Sequence, residues 1–186
     1  MTFRTELFLA AVALFLAVLI FIVAKSYRRA KRSQEKDWAN ILNRLTNVDR
    51  SSIAEVALDV IDQTGQPRSD KGSASLDPEQ IWNLVGGLKG LEVLESNCEA
   101  LIDLAFYVQR WYPEAVVVAE QLRAGAREIS WHVERLKGAE QTGKLETSFA
   151  MYGQRAVATY YLMTQRVLDL YEQGNSVMLD QLRKAL

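Results

Sequence analysis

The sequence has one cysteine and one histidine in 186 residues, with three prolines and ten glycines. Each scarcity excludes something. A single cysteine, Cys98, cannot form a disulfide within the chain and fits a reducing compartment. A single histidine, His132, cannot supply the two Glu-x-x-His pairs of a di-iron bundle. Together with Cys98 it would leave two zinc ligands to be found among carboxylates. So few prolines and glycines leave helices free to run long. The 34-residue self-similarity of a helical solenoid is missing. A nucleotide loop is missing too, because the stretch from Gly86 to Gly90 (GGLKG) lacks the Gly-Lys-Ser/Thr ending and a preceding strand.

What is present begins with an apolar run of eighteen residues, Leu7 to Ala24. At helical rise it covers about 27 Å, close to the hydrocarbon thickness of a bilayer. It has no polar stripe, so it does not read as a surface helix of a soluble core. It does not read as a cleaved export signal either, because the positive charge follows the run and no small-residue cleavage site closes it. Lys25, Arg28, Arg29, Lys31, Arg32 and Lys36 form a basic collar against Glu35 alone. The positive-inside rule then puts the amino terminus outside and the carboxyl-terminal bulk in the cytoplasm, with the collar at anionic headgroups. Ala10, Ala13, Ala17 and Ala24 share one face of this helix, a candidate packing face toward another spanning helix.

Seven of the 22 basic residues and two of the 23 acidic ones precede position 37, so 15 basic and 21 acidic residues follow, a formal charge of −6. An acidic domain behind a basic collar argues against nucleic acid as a partner.

The remainder reads as helices. Trp38, Ile41, Leu42, Leu45 and Val48 recur at threes and fours, and Ser52 with Glu55 has capping-box form ahead of Ile53, Val56, Ala57, Val60 and Ile61. Residues 64–75 are poor in hydrophobics and read as a linker. Asp77-Pro78-Glu79-Gln80 is the sharpest start signal in the chain. It opens an expected long helix to Tyr112, with Leu84, Leu88, Leu91, Leu94, Cys98, Leu101, Ala105 and Val108 inward, ended by Pro113. A second long helix carries Ala115, Ala119, Leu122, Ala126, Ile129, Val133 and Leu136 up to Thr142-Gly143. A third carries Leu145, Phe149, Tyr152, Ala156, Tyr160, Met163, Val167 and Leu170 up to Gly174, and a short terminal helix turns Met178, Leu179 and Leu182 inward.

The fold class is therefore all-α: a single N-terminal transmembrane helix followed by an antiparallel three- to four-helix bundle, its open side covered by the segment before the linker or by the terminal helix. The divisions expected are a short extracytoplasmic tail (1–6), the transmembrane helix (7–24), basic juxtamembrane and connecting helices (25–63), a flexible linker (64–76) and the bundle (77–186).

Few residues invite chemistry. His132 is expected on the helix surface beside Glu128. Cys98 is expected on the apolar face, among acids that would disfavour its thiolate. Glu92, Glu95, Glu99 and Asp103 form an acidic ladder read as a solvated face. Gly86, Gly87 and Gly90 break a helical pattern and are expected to allow close packing of another helix or a local kink. Trp111-Tyr112-Pro113 and Tyr160-Tyr161 are expected mainly to plug the bundle. The reading is a non-enzymatic, membrane-anchored helical interaction protein at the inner (plasma) membrane, without cofactor or metal, with the lipid bilayer and a protein partner or second copy as its partners. The alternative is an accessory subunit docking through its transmembrane helix. A small-ligand sensor or enzyme ranks third.

Overall fold

The structure, a computed structural model, describes residues 12, 14, 16, 20, 21, 38–62, 64–68, 76–174 and 176–186. The chain falls into two units, 1–36 and 37–186. In the first, the five described residues, Val12, Leu14, Leu16, Ile20 and Phe21, are helical and exposed. The rest of the apolar run, the alanine face and the whole basic collar lie outside the described residues. Among the described residues, no helix is long and apolar enough to cross a membrane.

The second unit is all-helical. Among its described residues there are seven named helices and no strand: α1 Trp38–Leu42, α2 Arg50–Val60, α3 Pro78–Val85, α4 Gly87–Val108, α5 Ala115–Gln141, α6 Leu145–Gly174 and α7 Ser176–Ala185. The core is the trio α4, α5 and α6, of 22, 27 and 30 residues. Short turns join them, and the cross-links show their direction. Glu92 meets Lys137 and Glu95 meets Ser130, so α4 and α5 are antiparallel. Trp131 meets Tyr152 and Gly125 meets Met163, so α5 and α6 are antiparallel as well. The inward stripes read from the sequence are largely buried here: Leu91, Leu94, Cys98, Leu101, Ala105 and Val108 on α4, and Ala115, Ala119, Leu122, Ile129, Val133 and Leu136 on α5.

Both candidate covers are used. α2 packs on α6 and α3, while α7 packs on α6 and α1 on α4. The helices before residue 64 thus belong to the same unit as those after residue 76. Side chains fasten them. Asn97 on α4 accepts from Thr46 N (2.9 Å) and donates to Thr46 O (2.8 Å), so one amide satisfies both backbone groups of a loop residue. Arg44 pairs with Asp103. Gln154 on α6 donates to the buried Asp59 of α2 (3.0 Å). Trp38 donates from Nε1 to Gln181 of α7 (2.7 Å). Each is a buried or half-buried polar group with its partner supplied, as interior polar groups must be.

Several local expectations change. The start of α2 is capped by Asp49, not Ser52: its carboxylate accepts from Ser51 N and from both serine hydroxyls, and these bonds hold its pKa below the usual carboxylate range. The Asp77–Gln80 capping box is present as read. The helix it opens ends at Val85, because Gly86 and Gly87 take φ of +79° and +65°. Of residues 64–76, Thr64 to Arg68 form a built turn. Asp62 accepts from the backbone of Thr64 (2.8 Å) and Gln66 (2.9 Å), and Ile61 bridges Pro67.

Candidate functional site

The residues with chemistry are mostly used for packing. Cys98 is 2% exposed, and burial, reinforced by Glu95, pushes its thiol up to about 12. A thiol so held is not a nucleophile at neutral pH. His132 is buried at 3% exposure, a correction to its expected place on the helix surface. It forms a ring cluster with Trp131, which it meets edge-on, and Tyr152, which is tilted against it, with Nε2 3.8 Å from Glu128 Oε1. Its Nδ1 has no hydrogen-bond partner among the described residues. Burial lowers its pKa, and the attraction of Glu128 only partly offsets this. Among the described residues, no three His, Cys, Asp or Glu side chains converge as metal ligands would.

The acidic ladder is not simply solvated. Glu92 and Glu95 reach across to Lys137 and Ser130 on α5, while Glu99 and Asp103 hold Arg44 from the other side, Asp103 being buried. The first two members and the last two therefore clasp different neighbours, which periodicity alone does not show.

The three glycines act within their own stretch of chain. Gly86 is the left-handed cap of α3, a conformation that costs a Cβ-bearing residue about 1–2 kcal/mol. A Cβ on Gly87 would lie 2.7 Å from the Trp82 ring, and one on Gly90 would lie 1.7 Å from the Val85 carbonyl oxygen. The kink is what they permit. Close approach between helices occurs elsewhere, at Gly125, where a Cβ would meet Met163 Sδ at 2.9 Å.

The aromatic groups divide. Tyr160 is buried, hydrogen-bonded to Asn97, and pushed up to about 12 by burial. Trp111 is 41% exposed, and Trp131 and Met151 are exposed on the other long faces. Three open features follow. A groove of about 810 Å³ runs over α6 between the turn after α2 and α5, with Ala158, Leu162 and Ile61 as apolar lining, Met151 at its rim, and Glu128 and Arg155 as an acid and a base. A smaller hollow of about 300 Å³ carries Arg50 and Arg183, but Arg50 is already committed to the Arg183 carbonyl (2.7 Å). The third is the exposed apolar turn between α4 and α5, with Trp111, Val116 and Val117.

The groove over α6 is mainly apolar, with Gln154 and Thr159 as neutral polar lining and one charge of each sign, a make-up open to a protein segment or a small ligand alike. No sequence pattern marks it, because its walls come from segments about ninety residues apart in the chain. Comparison with known protein families, with curated proteins and with solved structures finds no match to this chain.

Proposed function

We propose that this chain is a single-pass membrane protein that displays a non-enzymatic helical bundle at the cytoplasmic face, where the groove over α6 receives a protein partner. One observation carries the reading. Val12, Leu14, Leu16, Ile20 and Phe21 are helical and between 39% and 68% exposed. At 100° per residue Val12, Leu16 and Ile20 fall on one side of the helix, and Leu14 and Phe21 on the opposite side. Bulky apolar side chains exposed on opposite sides of one helical segment fit a lipid environment and not an aqueous one. The basic collar supports the orientation, and the burial of Cys98 supports a role without catalysis.

The test has two parts. The full chain should resist alkaline carbonate extraction from membranes, and a reporter active only outside the cytoplasm should stay silent when fused after Leu186. Extraction into the carbonate supernatant sinks the anchor, and an active reporter sinks the orientation. For the groove, Met151→Glu should abolish partner retention in mild detergent while leaving the bundle folded.

The second reading, an accessory subunit docking through its span, is favoured by the shared face of Ala10, Ala13, Ala17 and Ala24. Close backbone approach at small residues is a main source of packing between helices in lipid. Ala13→Leu with Ala17→Leu should then weaken association, while Leu14→Ala with Leu16→Ala should not. Equal retention by both pairs reduces the span to a tether.

A further inference from the structure

We propose that the turn between α4 and α5 is a second membrane contact, in which Trp111, Val116 and Val117 enter the interfacial layer of the bilayer and hold one end of the bundle against it. The proposal rests on the anchored reading above. Within seven residues this turn and the start of α5 leave Trp111 at 41%, Val116 at 39% and Val117 at 58% exposure, with Pro113 also exposed. No other turn among the described residues exposes so much bulky apolar surface. Indole is suited to the layer between headgroups and acyl chains, because it joins a broad apolar body to one polar N–H. The charges at the turn are balanced, Arg110 beside Glu114, so apolar burial and not charge would drive the contact.

The place of this turn in the bundle is what selects lipid as the occupant. The Trp111 ring meets Tyr107 edge-on (5.4 Å between centroids), and Tyr107 lies tilted against Trp38 (5.5 Å). Trp38 is the second residue of the bundle unit, so the chain enters the bundle beside this turn. Thirteen residues separate Ala24 from Trp38. They reach at most about 45 Å fully extended and about 20 Å as a helix. A tether of that length lets this turn reach the bilayer. The opposite turn, at Thr142 to Lys144, lies the length of α5 away, about 40 Å for its 27 residues, and it exposes polar side chains.

The experiment uses the full chain in vesicles of phosphatidylcholine with a minority of phosphatidylglycerol. In a Cys98→Ala background, an environment-sensitive fluorophore is placed on Val117→Cys, on Val116→Cys, or on Lys144→Cys as the distal control. All three positions are exposed, so labelling does not disturb the core. Lipids carrying a quencher in the acyl chain should quench the Val116 and Val117 probes severalfold more than the Lys144 probe. Equal, weak quenching at all three, with the chain still floating with the vesicles, overturns this contact and leaves the anchor standing. A probe at Val117 that is shielded from water but indifferent to the lipid quencher also overturns it, and marks the turn as a protein interface. A chain that does not float with the vesicles overturns both readings.

Discussion

Replacing Gly90 by alanine should destabilise the bundle, although alanine is the better helix former. The propensity gain is about 0.8–1 kcal/mol. Against it stands a Cβ placed 1.7 Å from the Val85 carbonyl oxygen and 2.8 Å from its carbon. Real Cβ contacts are essentially never under 3.0 Å, so the gap must open by 1.3 Å. The obstacle is main chain and cannot rotate away. It is fixed by the burial of Ile81 and Val85 and by the bond from Gly86 N to Trp82 O (3.0 Å). Forced shifts of packed backbone cost about 1–3 kcal/mol, and one this large belongs at the upper end, so a net loss of about 2 kcal/mol is expected after the propensity gain. For a unit of this size that lowers the unfolding midpoint by about 4–8 °C. Gly138→Ala is the matched control, since nothing lies within 4 Å of its Cβ and it is also inside a helix. It should raise stability by about 0.5–1 kcal/mol. Thermal unfolding of the full chain in mild detergent, followed by far-UV circular dichroism, measures both. If Gly90→Ala raises the midpoint as Gly138→Ala does, the account of the kink is wrong.

Three further outcomes follow from the same geometry. Burial lowers the pKa of His132, so the neutral side chain contributes stability in full above its ordinary value of 6.5, and that contribution is lost as pH falls below it; His132→Phe should flatten the urea midpoint between pH 7.5 and 5.5, and an unchanged slope would refute the assignment. Asn97→Leu removes both bonds to Thr46 and the one to Tyr160, and should cost about 1–3 kcal/mol in denaturant unfolding; a neutral result would mean the loop holds without its staple. Cys98 should react with an aromatic disulfide reagent only as fast as the bundle opens, so fast labelling of the folded chain would contradict its burial.

Much of the helical architecture is legible because it rests on local rules. The Asp77–Gln80 box and the three long apolar stripes each follow from capping chemistry or a 3.6-residue period. The kink at Gly86 is legible only as one of two options beside close helix packing, since two successive left-handed residues leave the period of the flanking stripes almost unbroken. Asn97, Gly125 and His132 could have been found. Each lies three residues from a buried neighbour (Leu94, Leu122 and Ile129) on an inward stripe, and a polar or small residue there asks for a partner or a close approach. Arg44 with Asp103 and Asp59 with Gln154 were beyond reach, because their pairing depends on how distant segments meet. The groove over α6 was illegible for the same reason.

The polar staples also set a timetable for synthesis. Asp59 and its partner Gln154 are 95 residues apart, and Trp38 and Gln181 are 143 apart. At about 5–20 residues per second, α2 waits roughly 5–20 s for the part of α6 that receives it, and Trp38 waits roughly 7–30 s for α7. The hairpins of α4, α5 and α6 close on neighbours made moments earlier. The first helices of the bundle to leave the ribosome thus wait longest for their full cover: α1 can meet α4 and α2 can meet α3 early, but the face of α2 that packs on α6 stays open until α6 is made. A nascent chain stalled before residue 154 should therefore be a preferred client of chaperones that bind exposed apolar helices, and one stalled just after residue 186 should not.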